Sequence, residues 1–277
     1  MNWYTGDTTF DTVLTIGLAF AAFTIIAGAF AQSPYGRFAS DQYGINLNPK
    51  LGWWLMEIPA TAVFLWFFLN SNSEAWTVTT LLLAGIWMLH YGNRGWFFPL
   101  SIRVAKGTKS SFSVLVMSLG MFVTAIHAYL NATWFTQLGT HLTSDWLSDP
   151  RFILGIAVYA LGFFIIVTSE SVVRNLRDPN PKPGDSQYKI PYGYAYRFVS
   201  SPQYLGELTA WLGFSIFTWG LPGVMIFLIS AGNLVPRAFA TLKPYGVEVN
   251  GREIRLTRIE ELRGLARPDP LIDDPSV

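Results

Sequence analysis

Seven runs of roughly twenty mostly apolar residues follow one another along the chain, at 10–30, 51–70, 75–92, 112–132, 151–173, 203–220 and 221–241. A helix of that length covers the ~30 Å of a bilayer's hydrocarbon core. No water is available there to pair backbone polar groups, so a spanning segment must bond internally, as a helix does. The pattern predicts an all-α integral membrane protein with seven transmembrane helices. Composition agrees, with hydrophobic residues at 51% and charged ones at 13% of 277, against ~25% charged in a soluble domain. Gly220, Leu221 and Pro222 supply a tight turn between the last two runs. Pro59 and Gly120, inside runs, are tolerated where neighbouring helices re-satisfy the backbone. No internal repeat is visible.

The basic residues orient the bundle. Arg37 and Lys50 fall in the first connection, Arg94, Arg103, Lys106 and Lys109 in the third, and Arg174, Arg177, Lys182, Lys189 and Arg197 in the fifth. Seven more follow position 236, so 18 of the 19 Lys and Arg residues occupy alternate connections, and only Arg151 does not. By the positive-inside rule these connections face the cytoplasm, giving an N-out, C-in topology. Residues 1–9 lack the basic region and cleavage site of a signal peptide, so the first run is expected to remain. Residues 1–245 form the membrane domain, and 246–277 a short soluble cytoplasmic tail. Within that tail, alternation from Val247 to Ile254 around Asn250-Gly251 signals a hairpin. Arg258 to Arg267 suits a short helix, and the end is expected to be disordered. The localisation expected is multi-pass in a membrane. The lack of a retention signal or transit peptide favours a bacterial inner membrane over the endoplasmic reticulum.

Several function classes drop out. Without cysteine there is no thiolate metal site or cysteine nucleophile, and His90, His127 and His141 are too few for a histidine cage, so no metal is expected. A net charge of +1 without a basic tract gives no nucleic-acid signal. No GxGxxG after a strand, P-loop or GxSxG occurs, so a nucleotide would have to be held by helix ends and loops.

The remaining signal is polar residues where lipid should not tolerate them. Glu57, in Trp53-Trp54-Leu55-Met56-Glu57-Ile58-Pro59, lies six residues into its run, about 9 Å deep at ~1.5 Å per residue. Intramembrane acids line cavities or pathways, the bland alternative being a helix–helix hydrogen bond. Tyr91 reaches a similar depth from the other direction; alone it reads as interfacial belt, as do Trp53 and Trp54, and His90 alone as packing. Glu170, Arg174 and Arg177 share a helical face, either as snorkelling side chains or as an arginine site for phosphates. The long 178–197 loop, with Tyr188-Lys189-Ile190-Pro191, has the length of a functional loop. Glu207 and Arg237 bring further charge to the same leaflet.

In this order and spacing the motifs resemble the steroid 5α-reductase family, the membrane-embedded 3-oxo-5α-steroid 4-dehydrogenases, over roughly residues 35 to 239. The resemblance rests on Leu55 to Pro59, His90-Tyr91 with Arg94, Arg174 with Leu176-Arg177, Tyr188 to Pro191, Leu205-Gly206-Glu207 with Trp211, and Arg237-Ala238-Phe239. It implies a seven-helix, NADPH-dependent reductase that saturates the Δ4 bond of a 3-oxo-Δ4 steroid drawn from the bilayer. It implies that Glu57 and Tyr91 grip the steroid C3 carbonyl and that Trp53 lines the steroid pocket. Tyr35, Glu170, Arg177, Tyr188, Gln203, Glu207 and Tyr245 are implied around NADPH, and Asn93, Arg94, Arg174, Tyr204 and Arg237 join that expected set. The chain departs from the family at Met56 (commonly a polar amide), Ile166 (often asparagine), Glu170 (aspartate) and Gln203 (asparagine), and after Phe239, where the usual tail is missing.

Hydride transfer to C5 of such an enone builds charge on the C3 oxygen, and donors aimed at that oxygen lower the barrier. Tyr91 has an O–H. Glu57 can donate when protonated, a state that an apolar span favours. Competing readings are a reductase of a polyprenol or enoyl thioester, a methyltransferase resembling the C-terminal half, and a proton-coupled transporter using Glu57 and Glu207.

Overall fold

The computed structural model describes residues 5–30, 44–103, 112–176, 191–241, 245–249 and 252–256. Helices form on the apolar runs and begin where the chain supplies caps. Asp7 accepts from the Phe10 amide (2.8 Å) at the start of α1 (Thr8–Phe30). Asn48 accepts from the Lys50 amide (2.9 Å), with Pro49 as the first residue of α2 (Pro49–Leu69). Thr77 caps α3 (Val78–Tyr91), which starts later than the run at 75 because Ser73–Ala75 forms a 3₁₀ turn.

The connection expected from 93 onward begins as helix. A π-helical turn, Gly92–Phe97, continues α3 into the one-turn α4 (Phe98–Ser101). Single π turns inside helices are frequent at functional sites, and this one carries Asn93 and Arg94. Next come α5 (Val114–Thr133), extended by a π turn to Leu138, α6 (Pro150–Leu176), α7 (Pro202–Thr218) and α8 (Leu221–Thr241). Among the described residues five helices are long and apolar enough to cross a membrane: α1, α2, α5 with its extension, α6 and α8. The other two expected spans are helices of 14 residues (α3) and 17 residues (α7).

A short clasp of strands accompanies the helices. β1 (Asn46–Leu47) pairs antiparallel with β2 (Phe112–Ser113), tying the start of α2 to the start of α5. Past α8, β3 (Tyr245–Val249) and β4 (Arg252–Leu256) pair antiparallel with Val249 opposite Arg252, flanking the Asn-Gly pair. The expected helix at 258–267 lies outside the described residues.

Pro59 lies inside α2, and side chains of neighbouring helices bond two carbonyls near it. Thr124 Oγ1 donates to the Met56 carbonyl and Trp87 Nε1 to that of Ala60, each at 2.9 Å. At the far end of α7, Trp134 Nε1 and His141 Nε2 bond the Thr218 carbonyl at 3.1 Å, and Trp146 Nε1 bonds that of Phe217 at 2.8 Å. These ring N–H groups satisfy orphan carbonyls of the last turn. Beside them, two side-chain hydrogen bonds from Arg151 hold the Asp149 carboxyl at about 2, while the same guanidinium lies over Trp146 and Trp219.

The most extensive helix contact joins α6 and α7 through glycines. A Cβ on Gly162 would stand 2.3 Å from the Ala210 nitrogen, and one on Gly213 2.3 Å from that of Tyr159. Small residues allow such backbone approach where lipid supplies no hydrophobic drive. Gly162→Leu is therefore expected to abolish the monodisperse peak of detergent-solubilised protein in size-exclusion chromatography. Overpacking costs ~1–3 kcal/mol or more, and here backbone would have to move. Gly85→Leu, where a Cβ meets nothing within 4 Å, should leave the peak intact.

Candidate active site

Glu57 is buried on α2, facing the π turn that follows α3. Gly95 permits the approach, since a Cβ there would already lie 3.1 Å from the Glu57 Cβ. The turn places Arg94 between two acids. Its Nε donates to Glu57 Oε1 at 3.0 Å and its Nη1 to Glu207 Oε2, on α7, at 3.0 Å. The Glu57 and Glu207 side chains are 2% and 6% exposed, so both carboxyls rely on protein partners rather than water. Trp53, one turn before Glu57, donates from Nε1 to the Arg94 carbonyl (3.3 Å), and the guanidinium carbon lies 5.2 Å from its ring centroid. Trp211 Nε1 donates to Glu207 Oε1 at 3.0 Å.

This cluster forms the polar wall of a cavity of about 440 Å³, within the ~300–1,000 Å³ usual for small-molecule sites. Glu57, Tyr91, Arg94, Glu207, Trp53 and Trp211 line it. The Tyr91 hydroxyl has no hydrogen-bond partner among the described residues. The rest of the wall is largely apolar: Phe20 and Phe23 of α1, Met56 of α2, Leu115, Val116 and Leu119 of α5, and Ile226 and Ile229 of α8. Met56, where the family commonly has an amide, fills the space over Gly120, whose Cβ would come within 2.3 Å of it.

A second cavity, about 170 Å³, shares Trp53 and Phe112 with the first. Arg103, Arg174 and Arg237 bring three guanidinium groups to its wall, with Glu170 and Ser101. Arg174 lies over the Phe97 ring at 5.3 Å and reaches the hydroxyls of Ser101 (3.4 Å) and Ser171 (3.3 Å). Asn93 Nδ2 donates to Glu170 Oε2 at 3.3 Å, and Arg237 Nε to the Tyr204 hydroxyl at 3.3 Å.

Most residues singled out in the sequence thus gather around two adjoining cavities. Asn93, Gln203 and Tyr204 line neither, Asn93 and Tyr204 reaching the second only through Glu170 and Arg237; the Gln203 amide oxygen accepts from the Tyr196 hydroxyl at 2.9 Å. Tyr35, Arg177 and Tyr188 lie outside the described residues, and Tyr245 is described only as the first residue of β3. Three contributors are assigned no site role from the sequence, although His90 belongs to one of its motifs. Arg103 reads there only as a loop charge, Tyr159 as one aromatic among many on α6, and His90 as packing. His90 Nδ1 lies 3.2 Å from the Tyr159 hydroxyl, and its Nε2 3.8 Å from Glu207 Oε1. Among the described residues no group of three or more His, Cys, Asp or Glu could hold a metal ion.

A membrane-helical protein with an apolar cavity ending in buried acids and a tyrosine fits an enzyme acting on a lipophilic molecule. A family model described as 3-oxo-5-alpha-steroid 4-dehydrogenase matches residues 109–250. A steroid 5-alpha-reductase of Gossypium hirsutum is 34% identical over 221 residues, covering 79% of this chain and 83% of the relative. The 3-oxo-5-alpha-steroid 4-dehydrogenases 1 of Rattus norvegicus and Mus musculus are 32% and 33% identical, covering 79% and 80% of this chain and 82% and 83% of theirs. The chain belongs to the steroid 5α-reductase family, a family of oxidoreductases.

Proposed function

We propose that the protein reduces the Δ4 double bond of a 3-oxo-Δ4 steroid with NADPH, in a bundle that crosses the membrane seven times, N-out and C-in. One observation carries the reading: Glu57 and Tyr91, whose hydroxyl has no hydrogen-bond partner among the described residues, line the same largely apolar cavity. A steroid is a rigid apolar body with its conjugated ketone at one end. The apolar wall suits the rings, and the two polar groups suit the C3 oxygen.

The second cavity fits the cofactor's charge. Guanidinium forks bind phosphate in bidentate fashion, and Arg103, Arg174 and Arg237 provide three of them. Arg177, Tyr35 and Tyr188 are assigned to the same cofactor by resemblance. When bound, the nicotinamide supplies the hydride that C5 accepts. As charge develops on the C3 oxygen, Tyr91 donates its O–H to it, and Glu57 donates as the neutral acid. The charge count among the described residues supports that state: Glu57 and Glu207 share the one guanidinium of Arg94, and one guanidinium balances one carboxylate, leaving a proton for the other. The low-dielectric wall strengthens both donors. Trp53 stacks against Arg94 and holds the polar corner in shape.

Purified protein in detergent, given NADPH and testosterone or progesterone, should consume the cofactor and release the 5α-dihydro product. A polyprenol or an enoyl thioester should give at most background consumption, and the reverse preference would remove the steroid assignment. Arg174→Ala and Arg177→Ala are each expected to raise the NADPH concentration for half-maximal rate about 10-fold, the scale of one charged hydrogen bond, with kcat nearly unchanged. An unaltered NADPH requirement would take the phosphates away from these arginines.

A further inference from the structure

Glu57 and Glu207 share one guanidinium, yet their other partners differ. Glu207 Oε1 accepts from Trp211 Nε1 at 3.0 Å, its Oε2 from Arg94 at 3.0 Å, and His90 Nε2 stands 3.8 Å from Oε1. Glu57 has Arg94. Donors stabilise the ionised form of a carboxyl, so the better-supplied acid is the one expected to give up its proton.

His90 is 3% exposed and lines neither cavity, so it does not touch a bound substrate. Its Nδ1 lies 3.2 Å from the Tyr159 hydroxyl. A phenol donating to Nδ1 leaves the ring hydrogen of a neutral imidazole on Nε2. That nitrogen is buried without a hydrogen-bond partner, its nearest acidic group being Glu207. Leaving a buried donor unmet is costly, and hydrogen bonds that are long in a free enzyme tighten when the site fills. Tyr91, Trp211 and Phe163 pack around the ring with centroids at 5.2, 4.4 and 6.0 Å, so the imidazole has little freedom to turn elsewhere.

We propose that Tyr159 and His90 are positioning residues: the phenol aims the imidazole N–H at Glu207, which stays ionised, so that the cluster's proton remains on Glu57 at the cavity. The inference rests on Glu57 being the donor to the C3 oxygen, as put forward above. Without the imidazole, Glu207 loses a donor and competes for the proton. Glu57 then ionises against Arg94, stops donating, and repels the charge forming on the substrate. The loss should fall on kcat rather than on steroid KM, because the affected interaction strengthens in the transition state.

The test uses the full chain in detergent and two readouts, steady-state kinetics and infrared difference spectra on binding a non-reacting 3-oxo-steroid. In the wild type, steroid binding should shift a protonated-carboxyl C=O band, and Glu57→Gln should remove that shift. His90→Leu should lose the shift and lower kcat about 10-fold or more, approaching the loss of one oxyanion donor. His90→Gln, whose amide can donate from the same place, should restore much of both. Tyr159→Phe, which removes only the aiming hydroxyl, should lower kcat in the same direction by a smaller factor, and it serves as the decisive variant if His90→Leu does not fold. A wild-type shift that survives both His90→Leu and Tyr159→Phe at unchanged kcat would overturn this inference alone. A wild type without a Glu57-dependent shift would overturn the donor role of Glu57 and this inference with it.

Discussion

Glu57→Leu and Tyr91→Phe are each expected to lower kcat by ~10²–10³, the cost of losing one donor to a developing oxyanion, while NADPH still binds. The two side chains line the large cavity, whereas the arginines suited to phosphate line its neighbour, so the effects should separate. Glu57→Leu should fold, because a neutral acid contributes no charge to the cluster and Arg94 keeps Glu207 as its counterion. Glu57→Gln should retain more rate than Glu57→Leu, since an amide still donates a hydrogen bond although it cannot carry the proton. Cofactor binding by fluorescence quenching and single-turnover rates measure the two halves independently. Both variants turning over at wild-type rate would remove these residues from the chemistry.

Arg94→Met should produce the largest loss of stability of any single polar substitution in the bundle. It leaves the Glu57 and Glu207 carboxyls, both nearly inaccessible, without their common cation. Removing one partner of a buried ion pair costs ~3–5 kcal/mol, because the remaining charge is stranded. In a chain of this size that corresponds to an apparent melting midpoint lower by on the order of 10 °C. The double variant Arg94→Met/Glu207→Gln should regain part of the loss, since it restores the charge count while still lacking the bridge. Thermal unfolding in detergent, followed by tryptophan fluorescence, reads both. An unchanged midpoint for Arg94→Met would mean that the guanidinium is not the counterion of Glu207.

Helix positions and the acids among them are legible in the sequence, because the physics behind them is local. An apolar run of twenty residues needs lipid wherever it lies, and Glu57 inside one stands out for the same reason. What joins those acids is not local. Arg94 meets Glu57 across 37 residues and Glu207 across 113, and the meeting depends on a π turn and on Gly95 lying against α2. Neither has a signature in the residues from 92 to 97, which read as the start of a loop. The same holds for the α6–α7 seam: Gly162 and Gly213 touch backbone while Gly85 faces open space, yet all three stand in comparable apolar surroundings in the chain. Tyr159 escapes notice because an aromatic residue in a membrane helix is ordinary, and only the 3.2 Å contact to His90 distinguishes it. Arg94, placed in the expected cofactor set, bonds Glu57 and Glu207 together, a pairing that no local pattern foretells.

The most direct measurement follows an isotope. With NADPH deuterated at its transferable position and testosterone as substrate, the purified protein should deliver deuterium to C5 on the α face, one label per NADPH consumed, with the C4 hydrogen coming from solvent. NADPH consumed without label at C5 would mean that the cavity between Glu57 and Tyr91 serves some other reaction.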